Sequence, residues 1–213
     1  MRSVSLLLSV AVLSLATAAF AQSEEHKHGQ AAKAAEAQTQ EPAKPAPAPK
    51  TEAQKTFEEM RSLAGEWEGP VTVTPDIPQM RGAKLHLTMR VLSRGNTIAH
   101  EFQEVGKPLD FMKYDHPLTM IYLGDDKQKL ELVHYCDAGN RPRMQASASP
   151  DGKTVAFDFV DITGPTMYGH MHRGVFTYID ENHHTEEWTF ILPGDKAIKA
   201  KMELTRVSQV AQK

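Results

Sequence analysis

The sequence predicts an all-β fold: an up-and-down antiparallel β-barrel of about ten strands, preceded by one short helix. Two observations predict the strands. Apolar and polar side chains alternate with period two from EWEGPVTVT almost to the end of the chain. Turn signals such as GDDKQ, DAGN, PDGK, DENH and PGDK cut that pattern into short runs. A third predicts closure. A meander of so many strands in one open sheet leaves two long edges and a poorly covered face, and a barrel removes both. A two-sheet sandwich is the alternative.

Residues 1–21 carry the pattern of a secretory leader: Arg2, an apolar run from Val4 to Ala19, and the small-x-small end Ala19-Phe20-Ala21. The expectation is cleavage there and export to a periplasm or beyond the cell, with no membrane span left afterwards. Residues 22–50 have no aromatic residue and no Leu, Ile, Val or Met, so they lack the apolar surface that offsets ordering entropy. They are expected to form a disordered Ala/Pro-rich tether, stiff over PAKPAPAP, with His26 and His28 solvated. A single domain over 51–208 and a tail at 209–213 complete the chain.

The formal net charge of −3 gives no basic footprint for nucleic acid. A single cysteine, Cys136, forms no disulfide within the chain, so stability rests on a packed core. The sequence is silent on oligomeric state.

TEAQKTFEEMRSLAG predicts the helix, with Thr51 as its cap, an apolar stripe at Phe57, Met60 and Ala64, and Gly65 at its C-terminal end. The first strand places Trp67, Gly69, Val71 and Val73 on one face. The second does the same for Leu85, Leu87, Met89 and Val91. Arg94-Gly95-Asn96 turns the chain into TIAHEFQEV, followed by LTMIYL, KLELVHYC, MQASAS, TVAFDFVDI, GVFTYI, HTEEWTFIL and AIKAKMELTRV.

The G-x-W at 65–67 after a short helix resembles the calycins, the lipocalins and fatty-acid-binding proteins among them. The W-x-G at 67–69 is also similar to the nitrobindin-like haem barrels. In general character the chain resembles exported, lipocalin-like bacterial proteins of unknown function, with an H-Y-C…N-x-P-R-M segment. The resemblance implies that Gly65, Trp67 and Gly69 close one end of a barrel and that Arg206 of the last strand stacks on Trp67. It lacks a clear T-D-Y motif and the paired cysteines of many lipocalins.

The candidate site centres on HYCDAGNRPRM. Alternation turns His134 and Cys136 inward with Leu130 and Leu132, and Asn140, Arg141 and Arg143 follow at the strand end. The two guanidinium groups suit a carboxylate or phosphate, or a loop salt bridge to Asp137 or Asp161. Phe157 or Phe159 and Trp188 are expected to line the lumen, with His184 and Glu186 preceding Trp188 on its face. Met167 and Tyr168, in a longer mobile loop over 161–174, are placed to grip an apolar ligand or to pack beneath it. Residues 80–85 and 107–117 are further rim segments.

These residues predict a barrel that binds a small hydrophobic or amphipathic ligand, with an acidic head group held by Arg141 and Arg143, no cofactor and no turnover required. Three other readings stay open. One is a haem- or metal-binding barrel using His134 or the His170/His172 pair, with Cys136, His100, His183 and His184 as further ligands. Another is an enzyme built on His134 and Cys136. The last is a structural envelope protein in which Cys136 is a small buried side chain.

Overall fold

The computed structural model describes residues 48–208. The leader, the tether as far as residue 47 and the tail at 209–213 lie outside the described residues. The chain forms helix α1 (Glu52–Ser62) and ten strands: β1 (Gly65–Thr74), β2 (Lys84–Leu92), β3 (Thr97–Glu104), β4 (Leu118–Leu123), β5 (Leu130–Tyr135), β6 (Arg141–Ala148), β7 (Thr154–Thr163), β8 (His170–Asp180), β9 (His183–Leu192) and β10 (Lys196–Ser208). Each strand pairs antiparallel with its sequence neighbours, and β1 pairs with β10, so the sheet closes. The all-β barrel with one preceding helix is the architecture that the period-two pattern predicts.

Helix α1 starts where the sequence places its cap. Thr51 accepts from the Gln54 backbone N–H at 3.1 Å, and the Gln54 side chain accepts from the Thr51 N–H at 2.8 Å. Its end differs from the expected one. Leu63 is the C-cap, and Gly65 opens β1 with φ +147°. A β-carbon on Gly65 would lie 2.5 Å from Arg206 Nη1, so close approach to β10 fixes the glycine there. The helix seals one end of the barrel. Phe57, Met60 and Leu63 are buried in the core, Thr51 Oγ1 donates to the Lys127 carbonyl in the β4–β5 turn, and Arg61 and Glu59 approach the turns at Gly95 and Gly152.

The barrel closes around Trp67. Its indole is fully buried, and its Nε1–H donates to the Leu63 carbonyl at 2.9 Å. The Arg206 guanidinium lies 3.9 Å from the ring centroid. It also donates to the backbone carbonyls of Ala64, Ser62 and Glu181, so one side chain caps the helix end and ties β10 to β1. Gly69 allows the same two strands to meet lower down: a β-carbon there would lie 1.9 Å from the Glu203 carbonyl oxygen.

The alternation places Trp67, Leu87, Met89, Ile98, Ile121, Leu130, Leu132, Met144, Phe157, Phe176, Met202 and Leu204 in the interior. At the end opposite the helix, the β1–β2, β3–β4, β5–β6, β7–β8 and β9–β10 connections form a rim.

Replacing Arg206 with Met keeps an apolar stem but removes the cation–π contact and the carbonyl bonds. Urea unfolding should show a loss of about 2 kcal/mol. Arg90→Met, which removes an exposed ion pair with Glu101, should cost less than about 1 kcal/mol. Equal losses would mean that Arg206 contributes no more than a surface pair.

Candidate functional site

At the rim end the lumen holds a cavity of about 320 Å³. Its wall is mostly apolar, built from Met80, Leu85, Phe102, Pro117, Met171, Trp188, Ala200 and Met202. Gln103, Glu104 and Asp115 supply polar groups at the entrance, and His134 lines the wall deeper in. The cavity exists because β2, β3, β9 and β10 turn Leu85, Phe102, Trp188 and Ala200 inward near the rim, and the connections around Met80 and Asp115–Pro117 lie over them. Small Ala200, paired with Trp188 across β9 and β10, leaves the space that a larger side chain would fill.

Below the cavity lies a buried polar network. Glu186 is fully buried and points into the barrel. His100 Nε2 lies 2.9 Å from one carboxylate oxygen and 3.1 Å from the other. His184 Nε2 is at 3.1 Å, and the Trp188 indole N–H donates at 2.8 Å. A buried carboxylate is tolerated when donors surround it. Burial by itself works to raise the Glu186 pKa, but the adjacent His100 charge and the hydrogen bonds from His100 and His184 outweigh it and hold the value down at about 2. The His184 ring meets Trp67 edge-on at 4.2 Å, so the network rests directly on the barrel plug.

His134 stands beside this network. It is 2 % exposed, its ring lies 5.6 Å from Trp188, and its Nδ1 is 2.9 Å from Thr119 Oγ1 on the neighbouring strand. Its Nε2 is buried without a hydrogen-bond partner. Burial, with a smaller push from the charge on His100, lowers its pKa to about 3, so the ring is neutral at pH 7.

The expected site residues separate. His134, Trp188 and Phe157 face the interior, and the first two line the cavity. Phe159 is half-buried and stacks on His172 at 5.1 Å and beside His170 at 4.8 Å. Cys136 lies past the end of β5, in a surface hollow with Tyr114, Asp115 and Tyr135 rather than in the lumen. Burial pushes its thiol pKa up, and the carboxylates of Asp115 and Asp137 add to this. Its side chain makes no hydrogen bond to His134, whose Nδ1 is engaged by Thr119.

The expectation that Arg141 and Arg143 hold an acidic head group at the mouth needs correction. Arg143 pairs with Asp161 at 2.6 Å and Glu131 at 2.9 Å, and Arg141 donates to Thr163 Oγ1. A bulge between Arg143 and Met144 sets the local register, and both arginines lie on the outer wall. The salt bridge to Asp161 is the alternative that holds, as a cross-strand pair between β6 and β7 and not as a loop contact. Asn140 is 1 % exposed, and its amide donates to the Pro165 and Gly169 carbonyls. It therefore clamps the β7–β8 connection instead of facing a ligand. That connection is only Gly164–Gly169, because β7 and β8 extend into the segment expected to be a loop. Met167 and Tyr168 are exposed on it, away from the cavity, and Met171 takes the inward position.

His170 Nε2 and His172 Nδ1 lie 3.1 Å apart and are paired with each other. Among the described residues, no group of three His, Cys, Asp or Glu side chains is disposed to hold a metal ion. Among the same residues, no helix is long and apolar enough to cross a membrane.

From the sequence, His100 is expected only as a further metal ligand, Glu186 is placed on the Trp188 face without a role, and Thr119 is assigned none. The signal for Glu186 was present in H-x-E-x-W at 184–188: a carboxylate at an inward position, between two aromatic rings on one strand face.

No protein-family model matches the chain, and no curated protein matches it in sequence. Among solved structures, it is similar to Rv2717c from M. tuberculosis at TM-score 0.49 and 15% identity, over 71% of this chain and 96% of that one. It is also similar to a protein of unknown function from the DUF3598 family of Nostoc punctiforme, at TM-score 0.44 and 9% identity. That alignment covers 70% of this chain and 49% of the other.

Two buried groups make stability depend on acid. The folded pKa of His134 lies below its unfolded value, so the unfolded chain binds the extra proton. Its contribution is complete above pH 6.5 and falls away as pH drops toward about 3. Glu186 acts in a lower window: its contribution is present above pH 4.5 and lost toward about 2. Chemical denaturation from neutral pH to about pH 5 should show His134→Phe flatter than wild type by about 2 kcal/mol. Glu186→Gln should leave that segment sloped, cost about 3 kcal/mol at neutral pH and flatten the lower one. Parallel curves for all three proteins would refute the assignment.

Proposed function

We infer that this chain is an exported, calycin-like binding barrel that takes one small, mainly apolar molecule into its lumen. The single observation that carries the reading is the rim-end cavity of about 320 Å³, apolar along most of its wall and with His134 within it. That volume falls at the lower end of the range typical of small-molecule sites, and an apolar wall with few polar groups is their usual character. Met80, Met171 and Met202 add adaptable side chains that follow the contour of a ligand.

The charge at the entrance narrows the class. Asp115 and Glu104, the latter in an exposed pair with Lys107 at 3.9 Å, line it, and Arg141 and Arg143 are engaged elsewhere. A carboxylate head group would meet like charge there, so a neutral ligand fits better than the acidic one expected from the sequence. Binding needs no chemical step: the ligand exchanges water for the apolar wall, and Trp188 and Phe102 supply most of the aromatic contact. The leader pattern supports a role outside the cytoplasm.

The test uses the neutral fluorophore N-phenylnaphthylamine. The wild-type protein should bind it with enhanced emission and energy transfer from Trp188. Ala200→Phe, which fills the cavity opposite Trp188, should weaken binding roughly tenfold or more while the far-ultraviolet circular dichroism stays unchanged. Binding that Ala200→Phe leaves intact would place the probe elsewhere and defeat the reading. Haemin added to the same protein should give no Soret band with histidine ligation; such a band would replace this reading with the haem alternative.

A further inference from the structure

His134 has two ring nitrogens in unlike surroundings. Nδ1 is 2.9 Å from Thr119 Oγ1, and both groups are buried. Nε2, the end of the ring furthest from the strand, has no partner. The hydroxyl of Thr119 has no other hydrogen-bond partner among the described residues. Two neutral arrangements are therefore open. If Nδ1 carries the hydrogen and donates to Thr119, the threonine hydrogen has no acceptor and the Nε2 lone pair has no donor. If Thr119 donates to Nδ1, the hydroxyl and Nδ1 satisfy each other, and only the Nε2–H is left over. The second arrangement strands one buried group instead of two, and each stranded group costs free energy.

The remaining N–H belongs to a side chain that lines the cavity. Its ring stands beside the Trp188 indole, whose own N–H is already committed to Glu186. Gln103, Glu104 and Asp115 are the other polar side chains of the wall, and they sit at the entrance. His134 thus brings an unpaired, uncharged hydrogen-bond donor to the inner wall of the cavity, where Nε2 is covered until a ligand moves the side chains over it.

We propose that His134, held by Thr119 as the Nε2–H tautomer, is the specificity-determining donor of the cavity and selects a neutral ligand with one carbonyl-type acceptor oxygen: a ketone, aldehyde, ester or amide on an apolar body. This rests on the lumen-binding reading given above. A hydrocarbon would leave the N–H unsatisfied, and a carboxylate would meet Glu104 and Asp115 on the way in. The same tautomer disfavours iron or another metal at His134, because the Nε2 lone pair is then absent.

The experiment uses the full-length mature protein and three probes of similar size: butyrophenone, butylbenzene and phenylbutyrate. Calorimetry measures binding to wild type, His134→Phe and Thr119→Val. Infrared spectroscopy follows the ketone stretch, and long-range proton–nitrogen correlation reads the His134 tautomer without ligand. The expected result is a protonated Nε2 in the free protein. Bound butyrophenone should show a carbonyl stretch shifted to lower wavenumber. It should bind roughly tenfold more weakly to His134→Phe, while butylbenzene binds both proteins alike. Thr119→Val should weaken the ketone alone, which a purely structural role for Thr119 would not do. Phenylbutyrate should bind more weakly than butyrophenone.

Butyrophenone binding that His134→Phe leaves unchanged, an Nδ1–H tautomer, or phenylbutyrate as the tightest probe would each overturn the proposal and leave the apolar cavity as a binding site. Failure of both butyrophenone and butylbenzene to bind wild type would overturn the cavity reading and the proposal together.

Discussion

Closure of β1 on β10 is the constraint on which the rest of this structure depends. The sheet has no free edge only because the first and last strands meet. They meet at a place where Gly65 and Gly69 remove side chains that would collide with Arg206 and with the Glu203 backbone. Arg206 then turns this contact into a lock. Its guanidinium covers the Trp67 ring and takes up helix-end carbonyls that would otherwise lack donors. Because Trp67 is fixed from both sides, His184 has a firm surface to rest against, and the buried network above it inherits that order.

The interior is graded along the barrel axis. At the helix end it is close-packed and apolar. In the middle it carries a carboxylate surrounded by His100, His184 and the Trp188 N–H. At the rim it opens into a cavity. Glu186 has a donor on each side, while the Nδ1 atoms of His100 and His184 are buried without a partner. Trp188 joins the layers: its N–H completes the carboxylate shell, and its ring forms part of the cavity wall. The cavity wall is thereby joined to the buried carboxylate network through one side chain.

The arginines of β6 and the residues of the β7–β8 connection lie outside this axis. Arg141, Arg143, Asn140, Met167 and Tyr168 belong to the outer wall or to the β7–β8 connection. They fix how the strands are held and do not line the cavity. Cys136, the lone thiol, lies beyond the end of its strand, and its raised pKa makes it a poor nucleophile.

The stacking of Arg206 on Trp67 was expected from a family resemblance only, whereas the sequence by itself determined the ten strands, the capped helix, and the inward aim of His134 and Trp188. All of these are local: period-two alternation, turn residues and cap spacing are written within a few positions of one another. Only the tertiary structure decided which inward side chains meet. His100 and Glu186 stand 86 residues apart in the chain, and no alternation in one strand reports the register of another. The bulge beside Arg143 and the inward turn of Met171 in place of Met167 were undecided for the same reason. The Thr119–His134 contact joins two neighbouring strands and needed their pairing to be known. Whether the lumen was filled or open depended on the volumes that all ten strands bring together, of which small Ala200 facing Trp188 is the clearest instance.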